Sequence, residues 1–403
     1  MTQKIRTTHV GSLPRTPELL EAYARTTIRE MGAEEFNEIL QASVDVVVRR
    51  QLDLGLDIIN DGEYGHLSSG AVDFGAWWSY IFPRLGGLRA PQPGEWVEMD
   101  VVRSSPGDVR LTSMTDRRDW TAFREAYNDP ESGCLLGEPL SVPTFTGPVS
   151  YIGQDAVAAD VNGLTAALDR AGHDRRDAFV AAISPGSAAR LANEHFDTED
   201  EIVDACARAL NEEYRTIADA GFTVQIDAPD LAEAWDQINP EPSIADYQAW
   251  IGKRIDAINT ALEGVPREQA RLHICWGSWH GPHTTDVPFG AIVDECLRAD
   301  VSGLTFEGAS PRHGHEWRVW SEHQLPENTL IYPGVVCHST NVVEHPRLIA
   351  DRILQYADLV GPENVIASTD CGLGGRLHPQ IAWAKLQALV EGAEIATREI
   401  NGN

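Results

Sequence analysis

The sequence has no long apolar run, so none of it reads as a membrane-spanning helix. Its opening Met1-Thr2-Gln3-Lys4-Ile5-Arg6 also lacks the apolar stretch of a secretory signal. A cytoplasmic protein is expected. Basic residues are scarce: 32 Lys and Arg against 61 Asp and Glu leave a formal charge of −29, and no basic run interrupts the acidic balance. That argues against nucleic acid or an anionic membrane as a partner. The six cysteines are scattered without the framework of a small disulfide domain, so reduced thiols are expected. No Gly-x-Gly-x-x-Gly or phosphate-loop signature follows any candidate strand, which leaves no indication of a nucleotide cofactor.

The 403 residues are 42% hydrophobic, enough for a substantial core, and they alternate strand with helix. Strands are expected near 6–10, 57–60, 140–146, 178–183, 222–226, 271–275, 302–306, 329–335 and 364–369. Helices are expected near 17–30, 34–54, 155–171, 198–219, 243–262, 287–298, 345–357 and 379–400. Such alternation calls for a parallel sheet with right-handed crossovers. An open doubly wound sheet would give the same pattern. The closed form is favoured because Glu63, Asp227, Cys275, Glu307 and Cys371 all stand at strand C-termini spread over the chain, and a barrel brings those ends to one mouth. The expected fold is α/β, a (β/α)8 TIM barrel forming a single domain over 1–403, with an insertion at about 66–137. Nine strands are one more than the ring needs, so either 141–146 or 178–183 lies outside it. Within the insertion, Glu95–Val102 and Val109–Met114 alternate like a β-hairpin. The insertion would pack over the barrel as a lid or a dimer contact, which leaves a homo-oligomer open, and Trp77 and Trp78 read as its packing.

The chemistry centres on Arg271-Leu272-His273-Ile274-Cys275. Residues i and i+2 leave a strand on the same face, so His273 and Cys275 can close on one metal ion. With Glu307 and Cys371 from later strand ends they make an N/O/S₂ set of the kind tetrahedral zinc accepts. The Gly11-Ser12 turn exposes N–H groups that suit a carboxylate, and Glu63 ends a strand where barrels place functional acids. Bland readings stand beside these. Glu63 and Asp227 could simply pair with a buried Arg, and His9 could support the first turn. Cys134, Cys206 and Cys296 read as core or surface thiols, and Cys337 faces away from His338. His280, His283, His313 and His315 read as substrate-loop or solvated residues rather than a second metal site.

The ordered set Thr7-Thr8-His9-Val10-Gly11-Ser12-Leu13-Pro14, Asp61-Gly62-Glu63, Gln225-Ile226-Asp227, His273-Ile274-Cys275, Phe306-Glu307, His338-Ser339 and Asp370-Cys371-Gly372-Leu373 resembles the catalytic barrel of cobalamin-independent methionine synthase. It is still more similar to the single-barrel relatives, which include the epoxyalkane:coenzyme M transferases. The resemblance implies that His273, Cys275, Glu307 and Cys371 bind Zn2+. It implies that Ser12 and its backbone hold an amino-acid carboxylate, that Glu63 and Asp227 take the amino group when the thiol is homocysteine, and that His338 handles a proton. Glu307 would be the ligand most easily displaced. The implied reaction is alkyl transfer, with methyl foremost, from a donor to a small-molecule thiol. The family's folate-stacking tryptophan falls in a segment like Gly147-Pro148-Val149-Ser150 or Ser184-Pro185-Gly186-Ser187, and neither is followed by a nearby Trp. A methyl-folate donor is therefore not implied. An alternative is opening of an epoxide, or dealkylation, by another small thiol such as coenzyme M. Zinc hydrolysis comes third, because two thiolate ligands make zinc a poorer Lewis acid.

Overall fold

Short runs rich in Val, Ile, Ala and Phe become parallel strands buried on both faces, with helices outside and side chains filling the inside. The computed structural model describes residues 3–27, 29–66, 80–92, 94–134, 141–277 and 279–402, so the expectation for Trp77 and Trp78 lies outside the described residues. Seven strands form one curled sheet in the spatial order Arg6–Thr7, Ile366–Thr369, Leu330–Val336, Gly303–Phe306, Ala270–Ile274, Thr223–Ala228, Phe179–Ile183. Residues 57–60 join its two edges: Ile58 N–H donates to Thr7 O and Phe179 N–H to Ile59 O, each at 3.0 Å. This segment is the eighth stave, and the expected (β/α)8 barrel is the fold that forms. It shows a single bridge, Ile59 to Ala178, partly because the Asp57 carboxylate takes the Thr7 N–H at 2.9 Å that a longer ladder would use.

Of the two candidates for the surplus strand, 178–183 is in the ring and 141–146 is not. Thr144–Tyr151 pairs antiparallel with Leu85–Arg89 and parallel with Ala192–Asn193 in a separate three-stranded sheet. Burial explains the choice. Phe179–Ile183 is buried throughout, whereas Thr146, Pro148 and Ser150 are exposed on alternate positions, as in a sheet with one wet face. The expected hairpin contracts to a turn with one antiparallel bridge, Ser105 to Asp108. Beyond it, hydroxyls replace the ladder: Arg110 N–H donates to Ser104 Oγ at 2.9 Å and Val102 N–H to Thr112 Oγ1 at 3.1 Å.

The helices fall close to their expected places, among them Ala33–Leu54, Glu199–Asp219, Ile244–Ala261, Pro346–Val360 and Pro379–Ile400. Glu199–Asp219 starts where Thr198 and Glu201 form a reciprocal capping box. No helix among the described residues is long and apolar enough to cross a membrane. Inside the barrel a buried polar chain aims upward. Arg271 lies 3.8 Å over the Phe179 ring and donates to Gln225 Oε1 at 2.8 Å, and Gln225 Nε2 donates to Asp227 Oδ1 at 2.8 Å. The chain thus fixes a carboxylate at the mouth without exposing the guanidinium beneath it.

Candidate active site

The C-terminal ends of the staves present the residues the sequence pointed to. In register, Asp227 is level with His273 and His273 with Thr305. His273, Cys275 and Cys371 come together with their ligand atoms all within 4.8 Å of one another, and the two sulfurs are 3.9 Å apart. All three side chains are buried. His273 Nδ1 is 3.4 Å from Thr305 Oγ1, while Nε2 has no hydrogen-bond partner among the described residues. A buried, unpartnered ring nitrogen costs about 1–3 kcal/mol. Beside two sulfurs that cost fits a metal-ligand nitrogen, so the donor set present suits zinc. Hydrogen bonding to Cys275 holds the Cys371 thiol well below the ordinary thiol value against the opposing effect of burial, with Arg376 and His273 adding to the depression.

Glu307 does not join that trio. Its carboxylate gathers instead with His338 and Asp370, again within 4.8 Å. In the sequence Asp370 stands out only as the first residue of the Asp370-Cys371-Gly372-Leu373 motif. Its Oδ1 accepts from the N–H groups of Gly308 and Ala309, both at 2.8 Å, which pins the loop after Glu307 to the strand end that carries Cys371. Asp370 Oδ2 and His338 Nδ1 have no partner among the described residues. Burial raises Glu307 to about 8 and Asp370 to about 6, and lowers His338 to about 3, so the imidazole is neutral at physiological pH. Of the three, Glu307 is the group whose protonated form burial favours most at neutral pH.

On the other side of the mouth, the first, second and eighth loops are laced together through Ser12. Its carbonyl accepts from Leu373 and Gly374 at 2.9 and 2.8 Å, and Leu13 N–H donates to Gly62 O at 3.1 Å. Glu63 is a non-glycine residue at φ 58°, held in that turn because Gly62 N–H bonds Asn60 Oδ1 and Glu63 N–H bonds Asp61 Oδ1. Burial, then the Asp227 charge, raises Glu63 to about 8; burial, then Cys371, raises Asp227 to about 8. The suspected buried arginine is present but does not pair with the Glu63 carboxylate directly. Arg15 Nη2 instead donates to the main-chain oxygens of Glu63 and His66. Two half-buried carboxylates, with the Asp227 charge raising Glu63, form a place for a cation.

Three of the other histidines, His9, His283 and His313, have structural partners. His9 Nε2 lies 2.8 Å from Gln51 Oε1, and its Nδ1 accepts from Gly11 N–H at 3.1 Å, so it does support the first turn. Asp286 bridges His283 and His313 at 3.2 and 3.1 Å, and Glu316 takes the other His313 nitrogen at 2.7 Å. His315 is exposed. Neither metal-competent grouping among the described residues includes any of these. Cys337 turns to Ser339, 3.1 Å away. Arg376, which the sequence reading passed over, acts electrostatically on Cys371, His338, Glu63 and Asp227. It is the first basic residue after Arg352, and that isolation was the available signal.

Comparison with known proteins bears on the family and the fold. The family model described as "Cobalamin-independent synthase, Catalytic domain" matches residues 5–67 and 181–395. The 2-hydroxypropyl-CoM lyase of Xanthobacter autotrophicus is 27% identical over 235 residues, covering 51% of this chain and 57% of the lyase, so the match spans little more than half of that relative. The methionine synthase of Thermococcus kodakarensis is 26% identical over 98% of this chain and 94% of its own length. Among solved structures, the B12-independent methionine synthase of Shewanella sp. W3-18-1, in complex with selenomethionine, superposes with a TM-score of 0.67. It is 18% identical and covers 99% of this chain and all of that one, a likeness of fold.

Proposed function

This chain belongs to the cobalamin-independent synthase catalytic-domain family, and from that premise we propose that it is a zinc-dependent transferase that alkylates a small thiol, with homocysteine as thiol and methyl as the group moved. The observation that carries the reading is the buried His273, Cys275, Cys371 trio with its unpartnered ring nitrogen. Glu307 is the proposed fourth ligand, and its grouping with His338 and Asp370 supports a carboxylate that leaves readily. Zinc held there keeps a substrate thiol deprotonated at neutral pH.

The chain's own residues do the rest. Glu63 and Asp227 receive the substrate ammonium, which lets both carboxylates ionise where burial and nearby negative charge otherwise keep them protonated. Ser12 and its backbone take the substrate carboxylate. In the transfer, a sulfur–carbon bond forms as the donor's bond to that carbon breaks, and the departing atom keeps the electron pair and needs a proton. His338 is buried and neutral, with Nδ1 uncommitted, and it manages that proton. The second reading, epoxide opening or dealkylation with a thiol such as coenzyme M, is favoured by the similarity to the lyase and by the absence of a tryptophan soon after Gly147–Ser150 or Ser184–Ser187.

Zinc X-ray absorption on the purified protein, with a thiol panel that begins with homocysteine and includes coenzyme M, decides between them. A third sulfur at zinc with homocysteine is expected. The same signal with coenzyme M alone would move the assignment to the second reading. A sulfur count that ignores every thiol would overturn both.

A further inference from the structure

The insertion is not a passive cover. Part of it is built into the loop that follows Cys275. Arg117, 2% exposed, donates from Nε to Asp236 Oδ2 at 2.8 Å and from Nη1 to Glu233 Oε1 at 2.7 Å, and its guanidinium lies 4.1 Å over the Trp279 ring. Trp279 Nε1 donates to Tyr127 Oη at 2.8 Å, and Tyr127 donates in turn to Asp119 Oδ2 at 2.7 Å. Asp119 Oδ1 accepts from both the N–H and the hydroxyl of Thr284, at 3.0 and 2.9 Å. Asp119 N–H donates to Asp236 Oδ1 at 2.8 Å, which closes the lattice. Three residues of 114–128 therefore hold the indole by its face and its edge, and hold the far end of its loop as well.

That indole packs against Gly277, two residues beyond the metal-site Cys275. Gly277 has φ 85°, and a Cβ there would overlap the Trp279 ring, so glycine is what permits the contact. The Gly277 N–H in turn faces Cys275 Sγ at 3.4 Å, and Glu233 N–H donates to Cys275 O at 3.2 Å. The two halves of the clamp also differ in how the family model covers them. Trp279, Thr284, Glu233 and Asp236 lie within the residues that match the family model, whereas Arg117, Asp119 and Tyr127 lie in the stretch between 67 and 181 that does not. The part that the family model matches supplies the proposed metal ligands and the carboxylates of the mouth. The part outside it supplies the groups that position Trp279.

We propose that segment 114–128 is the alkyl-donor specificity element of this chain, in which Arg117 and Tyr127 are positioning residues that fix Trp279 as a wall of the donor side of the site. The ligand it selects is the electrophile. The thiol, held by the metal-site trio with Glu63, Asp227 and Ser12, is bound independently of it. This inference rests on the thiol-alkylation reading above.

The test uses zinc-loaded full-length protein with homocysteine and two alkyl halides of different bulk, iodomethane and benzyl bromide, so that no natural donor need be known. The quantity read is the ratio of zinc-dependent homocysteine alkylation rates, benzyl over methyl, in the unsubstituted protein and in Tyr127→Phe, Arg117→Lys and Trp279→Ala. Zinc content and the sulfur count at zinc with homocysteine are measured in each. The ratio is expected to rise about tenfold or more in Trp279→Ala, the range a pocket contact commands, and severalfold in the two positioning variants, with zinc content and the homocysteine sulfur unchanged. An unchanged ratio in all three variants, or a loss of the homocysteine sulfur in Tyr127→Phe and Arg117→Lys, overturns the proposal. Tyr127→Phe removes a single hydroxyl, so it keeps the test available should Trp279→Ala fail to fold. Failure of the underlying function shows differently, as no homocysteine sulfur at zinc in the unsubstituted protein.

Discussion

Gly11→Ala separates the stability of the first turn from its role at the mouth. Gly11 has φ 138°, a region essentially closed to residues with a side chain, so alanine there costs about 1–3 kcal/mol wherever its Cβ points. That Cβ would also overlap Glu63 Oε1 and stand 3.1 Å from Glu63 Cδ. The overlapped atom is the far end of a flexible side chain, so the clash is relieved by withdrawing the carboxylate roughly 1 Å rather than by moving backbone. Backbone strain therefore decides the loss of stability, and carboxylate displacement decides the loss of function. A displacement of that size at a positioning group can cost about 10²-fold. In zinc-loaded protein the homocysteine KM should rise by about 10–100-fold in Gly11→Ala and by a similar factor in Glu63→Gln. The double variant should be worse than Glu63→Gln alone by less than about threefold, because the contact is already gone. Stability should behave the opposite way, with Gly11→Ala costing the same in both backgrounds by urea unfolding. The reasoning fails if the KM effects multiply, or if the stability loss disappears when Glu63 is replaced.

Cys371→Ser should leave well under one zinc per chain after dialysis, measured by elemental analysis, because a trio of ligand atoms within 4.8 Å falls to two. His338→Gln should lower kcat by about 10²–10⁴ with little change in homocysteine KM, as expected for a group that manages a proton in the transfer step; an unchanged kcat removes His338 from the mechanism. Against the opposing effect of burial, His313 is held up at about 10 by the hydrogen bonds it donates to Asp286 and Glu316. A raised folded value means this stabilisation is full below about pH 6.5 and lost as pH rises through about 10. His313→Gln should therefore flatten the fall in melting temperature over that window, and a fall as steep as that of the unsubstituted protein would contradict the assignment. Thr198→Ala should cost about 1 kcal/mol through the lost cap of Glu199–Asp219.

The parts of the site that the sequence made legible are those governed by periodicity. His273 and Cys275 share a face because a strand alternates, and Cys371 meets them because parallel strands of one barrel end at one mouth. Asp57-Ile58-Ile59-Asn60 was legible as a strand for the same reason, although side-chain competition from Asp57 reduces it to a single bridge. Relations set by tertiary packing were not legible. Nothing local says that Thr144–Tyr151 leaves the ring while Phe179–Ile183 stays in it, since both runs carry β-forming residues and the difference lies in whether a second face is covered. Nor does spacing say that Glu307 gathers with His338 and Asp370 while the other three expected ligands gather together.

That last division has a physical origin in Asp370. Its Oδ1 binds the N–H groups of Gly308 and Ala309, so the backbone leaving Glu307 is anchored by the residue adjacent to Cys371. The Glu307 carboxylate is consequently held near the Asp370 carboxylate and His338, where burial favours its protonated form, while the sulfurs and the imidazole come together without it. Under the proposed zinc reading, a ligand set divided in this way would give three fixed donors and one carboxylate with an alternative place to go. If Glu307 is the ligand an incoming sulfur displaces, as proposed, it leaves toward a place where burial and the Asp370 charge favour its protonated form, so its departure is coupled to uptake of a proton.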